Sequence, residues 1–420
     1  MRISRLLICV FAVAAVFTGG CVQQETEVFS FVFEKRHAPA RGRAGLTLPR
    51  DVLKRVAKEA KLGERLGYTQ EQMAHFASDK FCLGIVKRLF RDVASVPDYS
   101  GRIARALMAY SKNPGLVARV SYILMDVRAG AGVEPPADDD WGLDAITDGA
   151  TPAEALEALL VEEADETSIA EFKQLPTSQQ KLFVRLLIAS VVSAPFVRKA
   201  FDLDQLADAV MAKDITTVPS RELYSLATGP WETSNCPRES FEIMDELDLA
   251  YLSFSAVMYH KYVSAALAEY GEKNLPKIAR LFGRLDFNTL AGPVSICDTS
   301  NSEIADNRAL VLDLGGSDSY TGITAVPRNL ANPISTVVDL GGDDRYVNED
   351  DKAAIACGLF GMGSIYDLAG DDLYHNEESG IGSAWRYRSR DGLRRKRQVS
   401  HRLLMEPGRR SLRSGHPHRP

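Results

Sequence analysis

Apolar residues follow two different spacings along the chain, and the change falls near residue 291. From about residue 47 to residue 285 they recur every three or four positions, as at Leu182, Phe183, Leu186 and Leu187. This spacing predicts helices with one buried face. After residue 291 the helix formers give way to short apolar runs separated by Gly, Asp and Ser. That second pattern predicts short strands joined by tight turns.

Start and stop signals divide the helical part into two blocks. The segments Thr69–Gln72, Thr151–Glu154 and Thr177–Gln180 each have Thr followed three residues later by Glu or Gln, which predicts a capped helix start. A further helix is expected to begin around Pro237 and to end at Gly271, because glycine is favoured just past a helix end. The predicted blocks cover 47–130 and 150–285, and the Pro- and Asp-rich segment 131–149 is the predicted linker.

One nine-residue motif occurs three times in the second part of the chain. Its leading aspartates are 26 and 28 residues apart, so the spacing is nearly constant. Three copies at such spacing indicate a repeat architecture, in which neighbouring units supply each other's core. The copies are Leu312-Asp313-Leu314-Gly315-Gly316-Ser317-Asp318-Ser319-Tyr320, Val338-Asp339-Leu340-Gly341-Gly342-Asp343-Asp344-Arg345-Tyr346 and Tyr366-Asp367-Leu368-Ala369-Gly370-Asp371-Asp372-Leu373-Tyr374.

Each copy predicts a strand, a glycine turn and the start of a second strand. A period of this length suits one coil of a β-solenoid. Leu314, Leu340 and Leu368 would then form one inward ladder, and the three motif tyrosines another. The predicted fold class is therefore α+β multidomain, with an N-terminal all-α region followed by a short C-terminal β-solenoid, or β-helix-like, repeat region over 290–384.

The Gly-x-Asp-x-aromatic half of the motif, as in Gly316–Tyr320, resembles the second half of the RTX nonapeptide. That resemblance implies Ca²⁺ bound by glycine carbonyls and aspartate carboxylates in a parallel β-roll. The motif departs from RTX repeats because Asp-Leu replaces the first Gly-Gly, and because the period is not a pair of nonapeptides. The whole pattern is also similar to the Asp-Leu-Gly-Gly-Asp-Asp-x-Tyr repeats of large exported bacterial proteins, a family that brings no established activity.

Two interpretations of the repeated acids stay open. In one, stacked carboxylates bind Ca²⁺, a hard cation that takes six to eight oxygen ligands. In the other, each aspartate caps its own turn by accepting hydrogen bonds from backbone N–H groups. The candidate metal ligands are Asp313, Asp318, Asp339, Asp343, Asp344, Asp367, Asp371 and Asp372.

The N-terminus has the features of an export signal over 1–20. A basic start is followed by an apolar run from Leu6 to Phe17 and by Thr18-Gly19-Gly20-Cys21. The ending resembles a bacterial lipoprotein signal, although Thr18 stands where Leu or Val is usual. The resemblance implies that Cys21 is lipidated, that 21–46 is a tether, and that the protein sits in the outer membrane or periplasm. An ordinary cleaved signal is the alternative.

The formal net charge of −6 is unevenly distributed. Residues 386–420 hold twelve Lys or Arg and two acids, a net +10, so the other 385 residues carry −16. The repeat chemistry stops abruptly near Trp385. Reading the codons of 391–400 one base downstream permits Asp-x-Gly-Gly-Ser-Asp-Arg-Tyr, with the first Asp at position 392. We therefore expect the 385–420 tail to be out of frame and disordered; the alternative is a genuine basic tail that contacts nucleic acid or an anionic surface.

The sequence favours a non-catalytic envelope protein over an enzyme. It contains no nucleophile elbow, phosphate-binding loop or zinc-protease motif. His75 and His260 are isolated on helical faces, and the remaining cysteines show no disulfide or zinc spacing, which favours buried free thiols. A protein or polysaccharide partner is expected, with the membrane reached through the lipid. The alternative is a carbohydrate-active enzyme on a β-helix scaffold, since such enzymes use paired carboxylates.

Overall fold

We describe the fold from a computed structural model of the chain. The predicted signal, the tether and Cys21 lie outside the described residues, as do Cys82, Cys236 and most of 385–420. The structure describes 84–92, 96–110, 150–162, 164–220, 247–271, 282–322, 324–348, 355–358 and 360–376, with the short pieces 55, 115–117, 119–120, 132–133, 222–223, 384–386 and 398–400.

Seven helices are assigned in the described part of the chain. They begin and end where local signals allow, and two of the predicted signals are confirmed. The helices are α1 (Gly84–Arg91), α2 (Val96–Tyr110), α3 (Pro152–Leu159), α4 (Glu166–Gln174), α5 (Thr177–Lys199), α6 (Leu203–Val210) and α7 (Leu249–Tyr270), with a 3₁₀ turn at Ile215–Thr217.

The helix ends agree with the sequence in two places and differ in one. Thr151 and Glu154 form a complete capping box at the start of α3, and Gly271 caps α7 with a φ of 71°. The predicted capping box at Thr177 is wrong. Although α5 begins there, Pro176 is the N-cap without a side-chain hydrogen bond. Gln180 instead donates to the carbonyls of the preceding turn, which ties α5 to α4.

Two parallel-stranded sheets follow the helices. The first has the order β1-β2-β4-β6-β8-β10, and the second has the order β11-β9-β7-β5-β3. Within these two sheets, the strands pair in parallel except for the hairpin of the first two. The strands are β1 (Arg284–Thr289), β2 (Gly292–Cys297), β3 (Glu303–Ile304), β4 (Leu310–Asp313), β5 (Ser319–Thr321), β6 (Ile334–Asp339), β7 (Arg345–Asn348), β8 (Met362–Asp367), β9 (Leu373–Asn376), β10 (Ala384–Arg386) and β11 (Gln398–Ser400).

The strand register brings equivalent positions of the three motif copies side by side. In the first sheet Asp313 pairs with Asp339, which pairs with Asp367. In the second sheet Tyr320 pairs with Tyr346, which pairs with Tyr374. Because the strands pair in register, equivalent residues point to the same face of the sheet and form a column along the stack.

The strands β2, β4, β6 and β8 of the first sheet are buried on both faces. Leu310, Leu312 and Leu314 belong to a core that also contains buried side chains of α3, α5 and α7. Val311 and Val337 face the other way, into a core shared with the motif tyrosines of the second sheet. Continuous apolar strands are expected in a parallel sheet covered on both sides. The described residues thus form a mixed α/β structure with three layers: helices, first sheet and second sheet.

Helix α5 is long and apolar enough to cross a bilayer, judged by its length and composition alone. Most of its apolar stretch is buried inside the protein, where it packs against α7. The buried rings of Phe172, Phe183 and Phe287 meet at about 6 Å between centroids, joining α4, α5 and β1. This is the environment of a core helix.

The strands begin earlier than the sequence suggested. β1 starts at Arg284, inside the segment assigned to the second helical block, and pairs with β2 as an antiparallel hairpin. We call each first-sheet strand together with the second-sheet strand that follows it a coil; β2 and β3 form the one that precedes the first motif copy. In that coil Cys297 pairs with Asp313, and Ile304 pairs with Tyr320.

Candidate functional site

The eight candidate aspartates occupy three kinds of position in the stack. Six of them are buried, whereas Asp343 is exposed and Asp371 is half-buried. We call Asp313, Asp339 and Asp367 the first aspartate column, Asp318, Asp344 and Asp372 the second aspartate column, and Tyr320, Tyr346 and Tyr374 the tyrosine column.

The first aspartate column sits at the end of the first-sheet strands and closes the turn that follows. Oδ1 of Asp313 accepts the N–H of Gly315 at 3.0 Å, and Oδ1 of Asp339 accepts the N–H of Gly341 at 2.8 Å. The third copy has Ala369 instead of this glycine, and there Oδ1 of Asp367 receives no hydrogen bond. The turn-capping interpretation is therefore confirmed for the first two members.

The second oxygen of each first-column carboxyl accepts a hydrogen bond from the tyrosine seven residues later. The rings of that column stack almost face to face, with centroids 4.5 and 4.6 Å apart and planes within 9° and 6°. This separation matches the distance between neighbouring strands, so the rings repeat with the backbone. The pairs are Tyr320 with Asp313, Tyr346 with Asp339 at 2.9 Å, and Tyr374 with Asp367 at 2.8 Å.

The second aspartate column joins one coil to the next. Oδ1 of Asp318 accepts the N–H of Ser302 at 2.5 Å from the preceding coil. In the same way Asp344 accepts the N–H of Asp318 at 2.6 Å, and Asp372 accepts the N–H of Asp344 at 3.1 Å. Each carboxyl thus satisfies a backbone donor that the parallel ladder leaves open at the turn.

A separate ladder of hydrogen bonds lies at the solvent edge of the turn. In this ladder a backbone N–H of one coil donates to a side chain of the preceding coil, the reverse of the second aspartate column. Oδ1 of Asn301 accepts the N–H of Ser317, and Oδ1 of Asp343 accepts the N–H of Asp371, both at 2.9 Å. The turn is consequently held from both sides by side-chain oxygens.

A column of glycines lets the coils approach closely at this turn. A Cβ atom on Gly316 would lie 2.8 Å from the carbonyl oxygen of Ser300. A Cβ on Gly342 would overlap the carbonyl oxygen of Gly316, and one on Gly370 would overlap that of Gly342. The same Cβ positions also meet the second-column carboxylates, at 2.7 Å for Gly316. Side chains at these positions would force the coils apart.

The two aspartate columns meet inside each coil, which determines their electrostatics. The carboxyls of Asp313 and Asp318 are within hydrogen-bonding reach, as are those of Asp339 and Asp344. Burial and the neighbouring carboxyl hold the pKa values of Asp313 and Asp339 well above the ordinary range. Burial also raises the pKa of Asp318 to about 6. Two adjacent buried carboxyls cannot both ionise without a counter-charge.

In the second-column carboxyls of Asp318 and Asp344, one oxygen has no hydrogen-bond donor. Oδ2 of Asp318 and Oδ2 of Asp344 are buried and receive no hydrogen bond from a protein donor. A buried unsatisfied carboxylate oxygen is costly. Either a proton shared within the pair or a bound cation would relieve that cost.

A calcium centre of the RTX type needs more donors than the pairs supply. Within the described residues, no group of three or more His, Cys, Asp or Glu side chains is placed to hold a metal ion. Ca²⁺ takes six to eight oxygens, whereas most carboxyl oxygens here accept N–H or O–H groups. The residues therefore fit a counter-ion better than they fit a preformed calcium cage.

A buried polar network that the sequence did not predict connects α7 to the first sheet. The Tyr259 hydroxyl donates to Oγ1 of Thr336 at 2.6 Å, and Thr336 is hydrogen-bonded to Ser364 at 2.8 Å. His260 Nδ1 is hydrogen-bonded to the Tyr366 hydroxyl. Burial lowers the pKa of His260 to about 3, so this imidazole is neutral. Its hydrogen bond to Tyr366 joins α7 to β8.

Neither of the cysteines that the structure describes forms a disulfide. Cys297 is buried and Cys357 is half-buried. Burial, together with the nearby charge of Asp313, raises the pKa of the Cys297 thiol. A buried free thiol was the sequence-based expectation, and Cys297 confirms it.

Comparison with known proteins identifies no relative: no family model, no curated protein and no solved structure matches this chain.

Proposed function

We propose that this chain is an exported, lipid-anchored cell-envelope protein of non-catalytic binding or structural type, whose repeats form a short β-solenoid. The observation that carries the proposal is the recurrence of the same Asp–Tyr and Asp–backbone hydrogen bonds in consecutive coils. A solenoid is usually built from parallel coils in register, in which each coil supplies hydrogen-bond partners and core contacts to the next.

The same observation argues against the carbohydrate-active alternative. A glycosidase needs two carboxyl groups placed on either side of one bond in the substrate. The six column aspartates are buried, at most 3% exposed, and occur alike in all three motif copies. Such a uniform and inaccessible set favours a structural role, with the exposed edges of the stack left to contact a protein or polysaccharide partner.

Calcium enters the proposal as a counter-ion to the carboxyl pairs. The support is the orphaned, buried Oδ2 of Asp318 and of Asp344, each beside a second carboxyl. A divalent cation would allow both members of a pair to be ionised at neutral pH.

Calcium should raise the thermal stability of the full chain at pH 7.5. A ligand that binds only the folded state at tenfold excess over its Kd adds about 1.4 kcal/mol. Scanning calorimetry with millimolar CaCl₂ and then with EGTA gives the measurement, and MgCl₂ at equal concentration controls for ionic strength. Equal midpoints in CaCl₂ and EGTA would remove calcium from the proposal and leave the proton as the counter-charge.

Lipidation should depend on Cys21. The wild-type chain expressed in a bacterium with labelled palmitate should incorporate label and partition into the detergent phase of Triton X-114. Cys21→Ala should abolish both, while Cys82→Ala, which leaves the signal intact, should change neither. Label on Cys21→Ala equal to that of the wild type would contradict the anchor but leave the repeat fold untouched.

A further inference from the structure

The two strands at the far end of the stack break a spacing that all earlier coils keep. In four coils, the last residue of the first-sheet strand stands seven positions before the residue that is in register with the tyrosine column. These pairs are Cys297 and Ile304, followed by the three Asp–Tyr pairs of the motif copies. In the last coil, Arg386 pairs with Asp367 and Val399 pairs with Tyr374. Those two residues are thirteen positions apart.

The register of β11 specifies which residues would continue the columns. Val399 lies opposite Tyr374, so a tyrosine at position 399 would extend the stacked rings. Extending the register by one residue would pair position 397 with Asp372. The N–H of each earlier second-column residue donates to an aspartate of the following coil. The same contact in a further coil, from the Asp372 N–H to a carboxylate, would require an aspartate at position 397, where the chain has Arg397.

The turn imposes two further requirements. A first-column aspartate must stand seven residues before the tyrosine, at position 392, to accept its hydroxyl. A glycine must stand four residues before the tyrosine, at position 395, as do Gly316, Gly342 and Gly370 in the three motif copies. The chain has Gly392 and Arg395 at these positions, so its reading frame meets neither requirement.

The frame one base downstream permits all four required residues at these positions. Read across the codon boundaries of Gly392 to Ser400, it allows Asp at 392, Gly at 395, Asp at 397 and Tyr at 399. The β11 register comes from strand pairing, which is independent of the codons. For positions 397 and 399, strand pairing and the genetic code thus point to the same residues, while positions 392 and 395 follow from the spacing of the motif.

We propose that the C-terminal end of the stack, formed by Asp367–His375 and covered in this frame by β10 and β11, is the docking surface for one further coil of the same repeat in their place, encoded by codons 391–400 in the frame one base downstream. The occupant is a segment encoded by the same gene. It would extend each of the three columns by one residue: an aspartate that accepts its own tyrosine hydroxyl, an aspartate that accepts the Asp372 N–H, and a tyrosine ring that stacks on Tyr374. The proposal concerns the repeat stack alone and is independent of lipid anchoring and calcium.

The coding DNA gives the sharpest test, because the genetic code turns the proposal into five fixed bases. The third base must be A in the codons for Gly392, Arg397 and Val399. It must be G in the codon for Arg395, and the first base of the Ser400 codon must be T, since A there would give a stop codon. Any other base at these positions, or a stop codon in the shifted frame before codon 400, would overturn the encoded coil.

Docking itself is tested on protein made from a gene with one base deleted between codons 386 and 391. Residues 373–375 pair with β11 in the original frame, and we expect their amide exchange to slow by about tenfold or more in the restored chain, because the column contacts are added to that pairing. An alanine codon at position 397 of the restored gene is the matched control and should return most of the faster exchange. Unchanged exchange at 373–375 in a restored chain whose remaining amides stay protected would overturn the docking surface even if the bases agree.

Discussion

Replacing Gly342 with alanine should destabilise the stack by about 3–5 kcal/mol, an effect comparable with truncating a large buried side chain. The new Cβ would overlap the carbonyl oxygen of Gly316 and lie 2.9 Å from both carboxylate oxygens of Asp344. Neither neighbour can retreat, because one is backbone and the other holds the N–H of Asp318. The unfolding midpoint should fall by about 6–12 °C, measured by circular dichroism.

Gly283→Ala is the control for this substitution. Gly283 has a φ of 74°, and a Cβ there would meet no atom within 4 Å. Alanine at that position carries only the cost of a left-handed backbone, about 1–2 kcal/mol. Gly342 has no positive φ, so its cost comes from the overlap alone. A Gly342→Ala protein no less stable than Gly283→Ala would mean that the coils are not packed at the separation described.

Asp318→Asn should stabilise the protein at pH 7 by about 2 kcal/mol and should have little effect at pH 4. The folded pKa of Asp318, raised by burial to about 6, lies above its unfolded value of 3.8. The folded state therefore binds the extra proton, and the stability it contributes is full below pH 3.8 and lost as the pH rises through 6. Asparagine imitates the protonated carboxyl at every pH. The difference between the folded and unfolded pKa corresponds to about 2 kcal/mol once screening by the solvent at the nearby edge of the turn is allowed for.

The comparison should be made as a difference between the two proteins in EGTA. His260, whose folded pKa is lowered to about 3, contributes stability of opposite sign, which is lost as the pH falls from 6.5 towards 3. That contribution is common to both proteins and cancels in the difference. Asp343→Asn, at an exposed position of the same turn, is the matched control. A difference that does not grow between pH 4 and pH 7 would show that the Asp313–Asp318 pair is not a shared-proton pair.

The motif predicted the strands, the turn and the inward columns correctly because each is a local consequence of sequence. Leu314 and Leu340 are buried in the core shared with the helices, Leu368 is partly buried against it, and the tyrosines stack as expected. The spacing could not show that the carboxyls would pair across the coil. That pairing depends on the path of the turn over 314–317, in which Gly315 and Gly316 have positive φ, and the spacing alone does not specify that path.

The coil before the first motif copy was missed for a physical reason. Cys297 and Ile304 occupy the aspartate and tyrosine positions there, so the polar signature of the repeat is absent. The spacing of seven residues between them was the only available signal. In the same way, the contact of α7 with the sheet depends on Thr336 and Ser364, hydroxyl residues in otherwise apolar strands, whose partners lie far away in sequence.

The antiparallel hairpin of β1 and β2 gives the stack a direction of growth. β1 ends the parallel ladder of the first sheet, and its outer edge is engaged by Val161 and Leu159, whose backbones bond to Asn288 and Leu290. Duplication of a repeat is therefore tolerated most easily at the distal end, where a new coil meets only its predecessor. Across descendants of an ancestral gene, we expect repeat number to vary at that end, while the segment from α3 to the hairpin keeps a constant length.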